Sequence, residues 1–151
     1  MSTIRRARPD DLTRITALLQ EASLPADGIA AHLSTFLVAE SENIIVGAIG
    51  LESYGETGLL RSAVVAPEHR NAGIGSALYT ELLALARSVG TKRILLLTTT
   101  AEKYFGRKGF GVIDRATVRG PVTGSEEFTG ACPATAVCME LLLEDVAGGG
   151  M

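Results

Sequence analysis

Tryptophan is absent from this sequence, histidine and cysteine occur twice each, and aromatic residues make up only 5% of it. Two cysteines, Cys132 and Cys138, are too few for a disulfide framework, and with no histidine nearby they suggest no zinc site. Their spacing of six would put them on the same side of one continuous strand, as two core thiols. Long apolar runs are missing as well. Ile94-Leu95-Leu96-Leu97 is far too short to cross a bilayer, and no charged-then-apolar signal segment opens the chain. There is no surplus of positive charge: 14 Lys and Arg against 17 Asp and Glu leave a net −3, which gives nucleic acid no electrostatic footprint. These absences lead us to expect a cytoplasmic protein with no membrane partner, no nucleic-acid partner and no metal. What is present is aliphatic, and 151 residues suffice for one domain with a substantial core. No repeat or linker argues for a second domain. The expected division is a domain over 1–146 and a disordered Gly-rich tail over 147–151.

The most informative stretch is 64–87. An apolar strand ends at Pro67, which cannot continue a ladder. An amphipathic helix follows, with Ile74, Leu78, Leu82, Leu85, Ala86 and Val89 on one face. Between them sits Arg70-Asn71-Ala72-Gly73-Ile74-Gly75, with Ser76 next. Its glycines let backbone amides turn toward a ligand at a positive helix end, which suits a phosphate or pyrophosphate. No Lys-Ser or Lys-Thr follows as in a P-loop, and the third glycine of a dinucleotide fingerprint is missing. Arg70-x-x-Gly73-x-Gly75 after Val65-x-Pro67 instead resembles motif A of the GNAT superfamily of acetyl-CoA-dependent N-acetyltransferases.

Along the rest of the chain, Thr3–Ala7 reads as a strand, and Pro9-Asp10-Asp11 opens a helix carrying Leu12, Ile15, Leu18 and Leu19. A short helix is expected over 27–34. Phe36–Glu40 and Ile44–Tyr54 read as a hairpin, its second strand apolar on both faces. Leu59–Val65 leads into the glycine loop, Ile94–Leu97 is a buried strand, and a brief helix covers 101–107. Phe110–Val118 reads as a strand, 121–130 as a polar loop and Ala134–Leu143 as the last strand.

Ala101-x-x-Tyr104-Phe105-x-x-x-Gly109-Phe110 resembles motif B of the same superfamily, so the resemblance covers nearly the whole chain. It implies a single α/β domain: a mixed central sheet splayed between the motif A and motif B strands and flanked by helices. It also implies acetyl-CoA as cosubstrate. Arg70, Asn71, Ala72, Gly73, Ile74, Gly75 and Ser76 would surround the pyrophosphate, with Val64 and Val65 bonding the pantetheine arm through backbone. A backbone N–H near Val65 would stabilise the oxyanion. Leu97-Thr98-Thr99 with motif B resembles the amino-acid N-acetyltransferase branch, and the segment 128–139 resembles small GNAT proteins found with arsenic-resistance genes. The implied acceptor is thus a small amine, either an amino acid or a toxic analogue, and the resemblance leaves room for a homodimer. A non-catalytic acyl-CoA sensor is the alternative, because Phe105 stands where many relatives carry a proton-donating tyrosine.

Acetyl transfer needs a neutral amine, a stabilised oxyanion and a proton for the thiolate. Glu52 is the candidate base, or else a strand end reaching solvent. Arg61, inside an apolar strand, is a candidate clamp for an acceptor carboxylate, or else it pairs with an acid such as Glu56. Thr98 and Thr99 either bind substrate or cap the next helix. Phe105 is expected to pack on the pantetheine, while Tyr104 on the same helix points about 100° away. His32 and His69 read as surface residues. Lys103, Arg107 and Lys108 either meet the outer phosphate or form a solvated face.

Overall fold

The computed structural model describes residues 2–133 and 135–143. Among these, seven strands form one mixed sheet in the order β1-β2-β3-β4-β5-β7-β6. They are β1 (Ser2–Arg6), β2 (Phe36–Ser41), β3 (Ile44–Tyr54), β4 (Thr57–Val65), β5 (Arg93–Thr98), β6 (Gly111–Ile113) and β7 (Val137–Leu142). Three α-helices accompany the sheet: α1 (Leu12–Glu21), α2 (Ile74–Ser88) and α3 (Glu102–Arg107).

Strand β3 is the centre of the core. Its residues Ile45 to Glu52 are all buried, as a strand apolar on both faces must be. On one face α2 approaches so closely that a Cβ at Gly47 would lie 3.1 Å from Leu78. On the other, the Phe36 ring occupies the space a side chain at Gly50 would need. The β2–β3 turn bends through Glu42 and Asn43, both with positive φ, the twist a tight hairpin requires. Helix α2 buries Ile74, Leu78, Leu82, Leu85 and Ala86 as its period demands. Val89 lies just past the helix end and is largely exposed.

The sheet opens in its middle. Strands β4 and β5 are parallel neighbours, yet among the described residues they pair only at Thr57–Arg93, Gly58–Ile94 and Leu59–Leu95. Beyond these pairs β4 stays with β3, and β5 stays with β7. Just past the last shared pair β4 carries a bulge. Arg61 pairs with Gly50 and Val64 with Ala48, so Ser62 and Ala63 together oppose Ile49. Ser62 adopts a φ of 60° to make this bend. The expected splay between the two strands is therefore present.

Several sequence expectations need correction. Phe110–Val118 is a strand only over Gly111–Ile113. Asp114 accepts from the Ala116 amide at 2.9 Å and starts a 3-10 turn over Arg115–Thr117, which ends the strand. The region read as a polar loop holds a 3-10 turn, Pro121–Gly124, and a π turn, Glu127–Ala131. The segment expected to be helical over 27–34 is a 3-10 helix, Ile29–Thr35. The last strand begins at Val137, so Cys132 precedes it and the two cysteines do not share a strand. Ala134 and the tail proposed over 147–151 lie outside the described residues. No helix among the described residues is long and apolar enough to cross a membrane.

Candidate active site

The gap between β4 and β5 forms a cleft of ≈ 800 Å³. Of the residues singled out in the sequence, Arg61, Val64, Val65, Arg70, Gly75 and Phe105 line it, as do Thr98 and Thr99. Asn71, Ala72, Gly73, Ile74 and Ser76 continue the loop beyond this wall, and Glu52 does not line it.

One end of the cleft is built largely from backbone. Asn71 and Gly73 have φ of 67° and 83°, and this left-handed pair leads the chain into α2. Among the described residues the amides of Asn71 to Gly73 meet no backbone acceptor, and those of Ile74 to Ser76 lie in the first helical turn, where the helix supplies none. A Cβ on Gly75 would meet only Val65 Cγ2, at an ordinary 3.8 Å, so nothing inside the chain requires glycine there. Its bareness instead leaves open a stretch of cleft wall. Phosphate oxygens fit such amides at the positive end of a 15-residue helix. Nearby, Lys108 Nζ lies 3.4 Å from Ser76 Oγ and sits over the Tyr79 and Tyr104 rings. Lys103 and Arg107 are solvent-exposed. The Ala66 amide donates to Val46 on β3, so strand alternation turns the Val65 N–H toward the unpaired edge. The Val65 carbonyl accepts from Arg70 Nε at 3.1 Å.

The other end is built from buried charge. Arg61 is 2% exposed. Its Nη1 donates to Glu52 Oε2 at 2.8 Å and to the Asp27 carbonyl at 2.6 Å. Its Nη2 donates to the Pro25 carbonyl at 3.1 Å, and its Nε donates to Ser62 Oγ at 3.0 Å and lies 3.4 Å from Glu127 Oε2. The guanidinium assigned from sequence to an acceptor carboxylate is thus already engaged within the protein. The alternative partner, Glu56, pairs with Lys92 instead. Glu52 is not a strand end in solvent, being 1% exposed. Burial alone would raise its pKa, but hydrogen bonds from Tyr54, Arg61 and Ser125 outweigh that and hold the carboxyl below its ordinary value. His32 is no plain surface residue either: its Nε2 lies 3.7 Å from Glu52, and its ring packs against Tyr54.

Glu127 escaped the sequence reading, since nothing in the stretch 121–130 marks one glutamate as buried. It lines the cleft at 4% exposure, and burial pushes its carboxyl up to about 7 despite the nearby Arg61. Cys132 lines the same wall, its thiol pushed up to about 12 by burial and by Glu127. Cys138 packs in a separate cluster with Leu59, Leu95, Val118 and Val122. Among the described residues no three His, Cys, Asp or Glu side chains are placed to hold a metal ion.

The aromatic wall also differs from expectation. Phe105 and Tyr104 both line the cleft, their rings edge-to-face at 5.1 Å, so Tyr104 does not point away from it. Tyr79 lines it too, 6% exposed and with a hydroxyl that finds no partner among the described residues. The Thr98 hydroxyl accepts from the Thr100 and Ala101 amides, at 3.3 and 2.9 Å, and so holds the turn into α3.

A model of the acetyltransferase (GNAT) family matches residues 5–110. The chain is 34% identical over 118 residues to an amino-acid acetyltransferase of Ralstonia nicotianae, covering 71% of this chain and 26% of that one. It spans about a quarter of the length of the curated relatives it matches. The fold resembles N-acetylglutamate synthase from Neisseria gonorrhoeae complexed with coenzyme A and N-acetyl-glutamate, with a TM-score of 0.81 at 21% identity over 96% of this chain and 36% of that one. It also resembles Rv2747 from Mycobacterium tuberculosis in complex with CoA, with a TM-score of 0.78 at 25% identity over 94% and 99% of the two chains.

Proposed function

This chain belongs to the GNAT family of acetyltransferases, and from that premise we propose that it transfers the acetyl group of acetyl-CoA to the amino group of a small amino acid or amino-acid analogue. The observation that carries the proposal is the composition of the ≈ 800 Å³ cleft: amides without a backbone acceptor among the described residues and a bare Gly75 at one end, buried ionisable side chains at the other. In this reading Arg70 to Ser76 surround the pyrophosphate, and the unpaired edges near Val64 and Val65 bond the pantetheine arm. The Val65 N–H meets the oxyanion, and Phe105 packs against the arm. When bound, acetyl-CoA supplies the activated acyl group, and the protein's part is to orient it and exclude water.

At the acceptor end Glu52, expected from sequence as the base, serves as the counter-ion that fixes Arg61. Arg61 in turn anchors the 25–27 loop. Thr98 and Thr99 present the end of β5 to the acceptor. The amino-acid class follows the names of the relatives. Acetyl-CoA chemistry and two buried, unpaired thiols suit a cytoplasmic setting.

Release of free thiol from acetyl-CoA, measured against the twenty common L-amino acids and their decarboxylated amines, tests the reading. The expected result is turnover with amino acids, with the decarboxylated amines much poorer. CoA binding without turnover of any amine would leave an acyl-CoA-binding sensor in its place. Preference for an arsenic-containing amino acid over all twenty would identify the toxic-analogue form of the same reaction.

A further inference from the structure

Three acidic or basic groups meet at the acceptor end, and their charges do not cancel. Arg61 and Glu52 form a close pair at 2.8 Å, each nearly fully buried. Glu127 is the third member, with its side chain 5% exposed and its Oε2 3.4 Å from Arg61 Nε. Among the described residues no second cation comes within ion-pair distance of it. With all three ionised the cluster carries one uncompensated negative charge inside a protein wall. Glu52 cannot release that charge to a ligand, because Tyr54 and Arg61 donate to it and it does not face the cleft. Glu127 does face the cleft.

The backbone around Glu127 is firmly held. Its amide donates to Ser125 Oγ at 3.2 Å, and its carbonyl accepts from the Cys132 amide at 3.3 Å. Arg115 donates to the Phe128 carbonyl at 2.9 Å and to the Pro133 carbonyl at 3.0 Å, tying the ends of the turn together. A carboxylate so fixed is a poor swinging surface group and a good fixed receptor for a cation.

We propose that Glu127 is the proton acceptor of the acyl-acceptor subsite, receiving the substrate's ammonium group and taking one proton from it. The proposal rests on the acetyl-transfer reading above and deepens it. The ammonium brings the positive charge the cluster lacks. One proton passes to a Glu127 oxygen, and the freed amine lone pair attacks the thioester carbonyl carbon. The N–C bond forms, the C–S bond breaks, and its electron pair leaves on sulfur. The second nitrogen proton neutralises the departing thiolate, and Glu127 returns its own proton to solvent. Burial sets its titration first, then Arg61 on β4, Glu52 on β3 and the Cys132 thiol; Tyr54 and His32 face Glu52, and Arg115 faces Cys132.

The test compares the parent with Glu127→Gln and Glu127→Asp, using the L-amino acid of highest kcat/KM in the panel. Glu127→Gln should lower kcat/KM by about 10²–10⁴-fold. The parent's rise in kcat/KM through about pH 7 should vanish in that variant, and Glu127→Asp should restore part of the rate. CoA affinity by calorimetry should stay within twofold. Melting temperature gives a readout independent of turnover. A carboxyl whose folded pKa is raised contributes stability below its unfolded pKa, and that stability is lost as pH rises through about 7. The parent should therefore lose stability relative to Glu127→Gln between about pH 4.5 and 7 and change little above. A Glu127→Gln enzyme within threefold of the parent, or one that keeps the acid limb, overturns the proposal. Loss of CoA affinity in that variant would mark Glu127 as structural and overturn it too. A parent that binds CoA but acetylates no amine fails earlier, at the proposed function itself.

Discussion

The two ends of the cleft are built on opposite principles. The end formed by Asn71 to Ser76 is made of backbone amides and the absence of side chains, all within one short stretch of chain. The end formed by Arg61, Glu52 and Glu127 is made of side chains from two strands and a distant turn, locked together away from water. At the first end Gly75 can gain a small side chain with little strain on the fold. The second cannot lose Arg61 without leaving the buried Glu52 carboxylate short of its guanidinium partner. Under the proposed function, recognition of a phosphate through amides is thus largely separable from stability, whereas the charged end couples the two.

Arg61→Met should break this comparison most forcefully. Removing the cation leaves Glu52 buried without its partner, at a cost of about 3–5 kcal/mol in urea denaturation at pH 8. The double variant Arg61→Met with Glu52→Gln should recover part of that loss. A single Arg61→Met variant as stable as the parent would show that the cluster is not the rigid unit described.

Gly75→Val probes the backbone end. The branched side chain should obstruct the cleft wall and weaken CoA binding at least about tenfold by calorimetry, which is about 1.4 kcal/mol. Gly75→Ala should raise stability by about 0.5–1 kcal/mol through helix propensity while still weakening CoA. Unchanged CoA affinity in both variants would remove the phosphate-loop assignment.

The smallest effect is expected at Tyr79, between the two ends. Its buried hydroxyl has no partner among the described residues, so Tyr79→Phe should stabilise the free protein by about 1 kcal/mol. Equal or lower stability of the variant would mean that the hydroxyl is satisfied in solution.

The same contrast explains what could be read in advance. Strands β1 to β5, the α2 face and the glycine loop follow periodicity and residue chemistry over fewer than twenty consecutive positions, so they were legible, whereas the extent of β6 and the start of β7 were not. The opening of the sheet between β4 and β5 followed from the resemblance in motifs A and B. The bulge at Ser62 was not legible, because Ser62 carries no glycine or asparagine signature for its positive φ. It also shifts the side-chain alternation of β4 beyond Arg61. Glu127 was invisible for a related reason: its segment is polar in composition, and only packing against Arg61 and Ser125 makes one of its two neighbouring glutamates a buried group.

Local sequence therefore determined most of the elements and the glycine loop, since helix ends, glycine freedom and strand alternation are properties of neighbouring residues. Tertiary structure alone decided which charges meet. The β3–β4 register, with Glu52 opposite Leu59 and Arg61 opposite Gly50, sets the two charges diagonally across the hairpin, and Glu127 joins them from 66 positions further along the chain than Arg61. Burial, which comes from the whole packed fold, pushes both carboxyls up, and hydrogen bonds from Tyr54, Arg61 and Ser125 reverse the sign at Glu52 alone, so two residues of the same type shift in opposite directions.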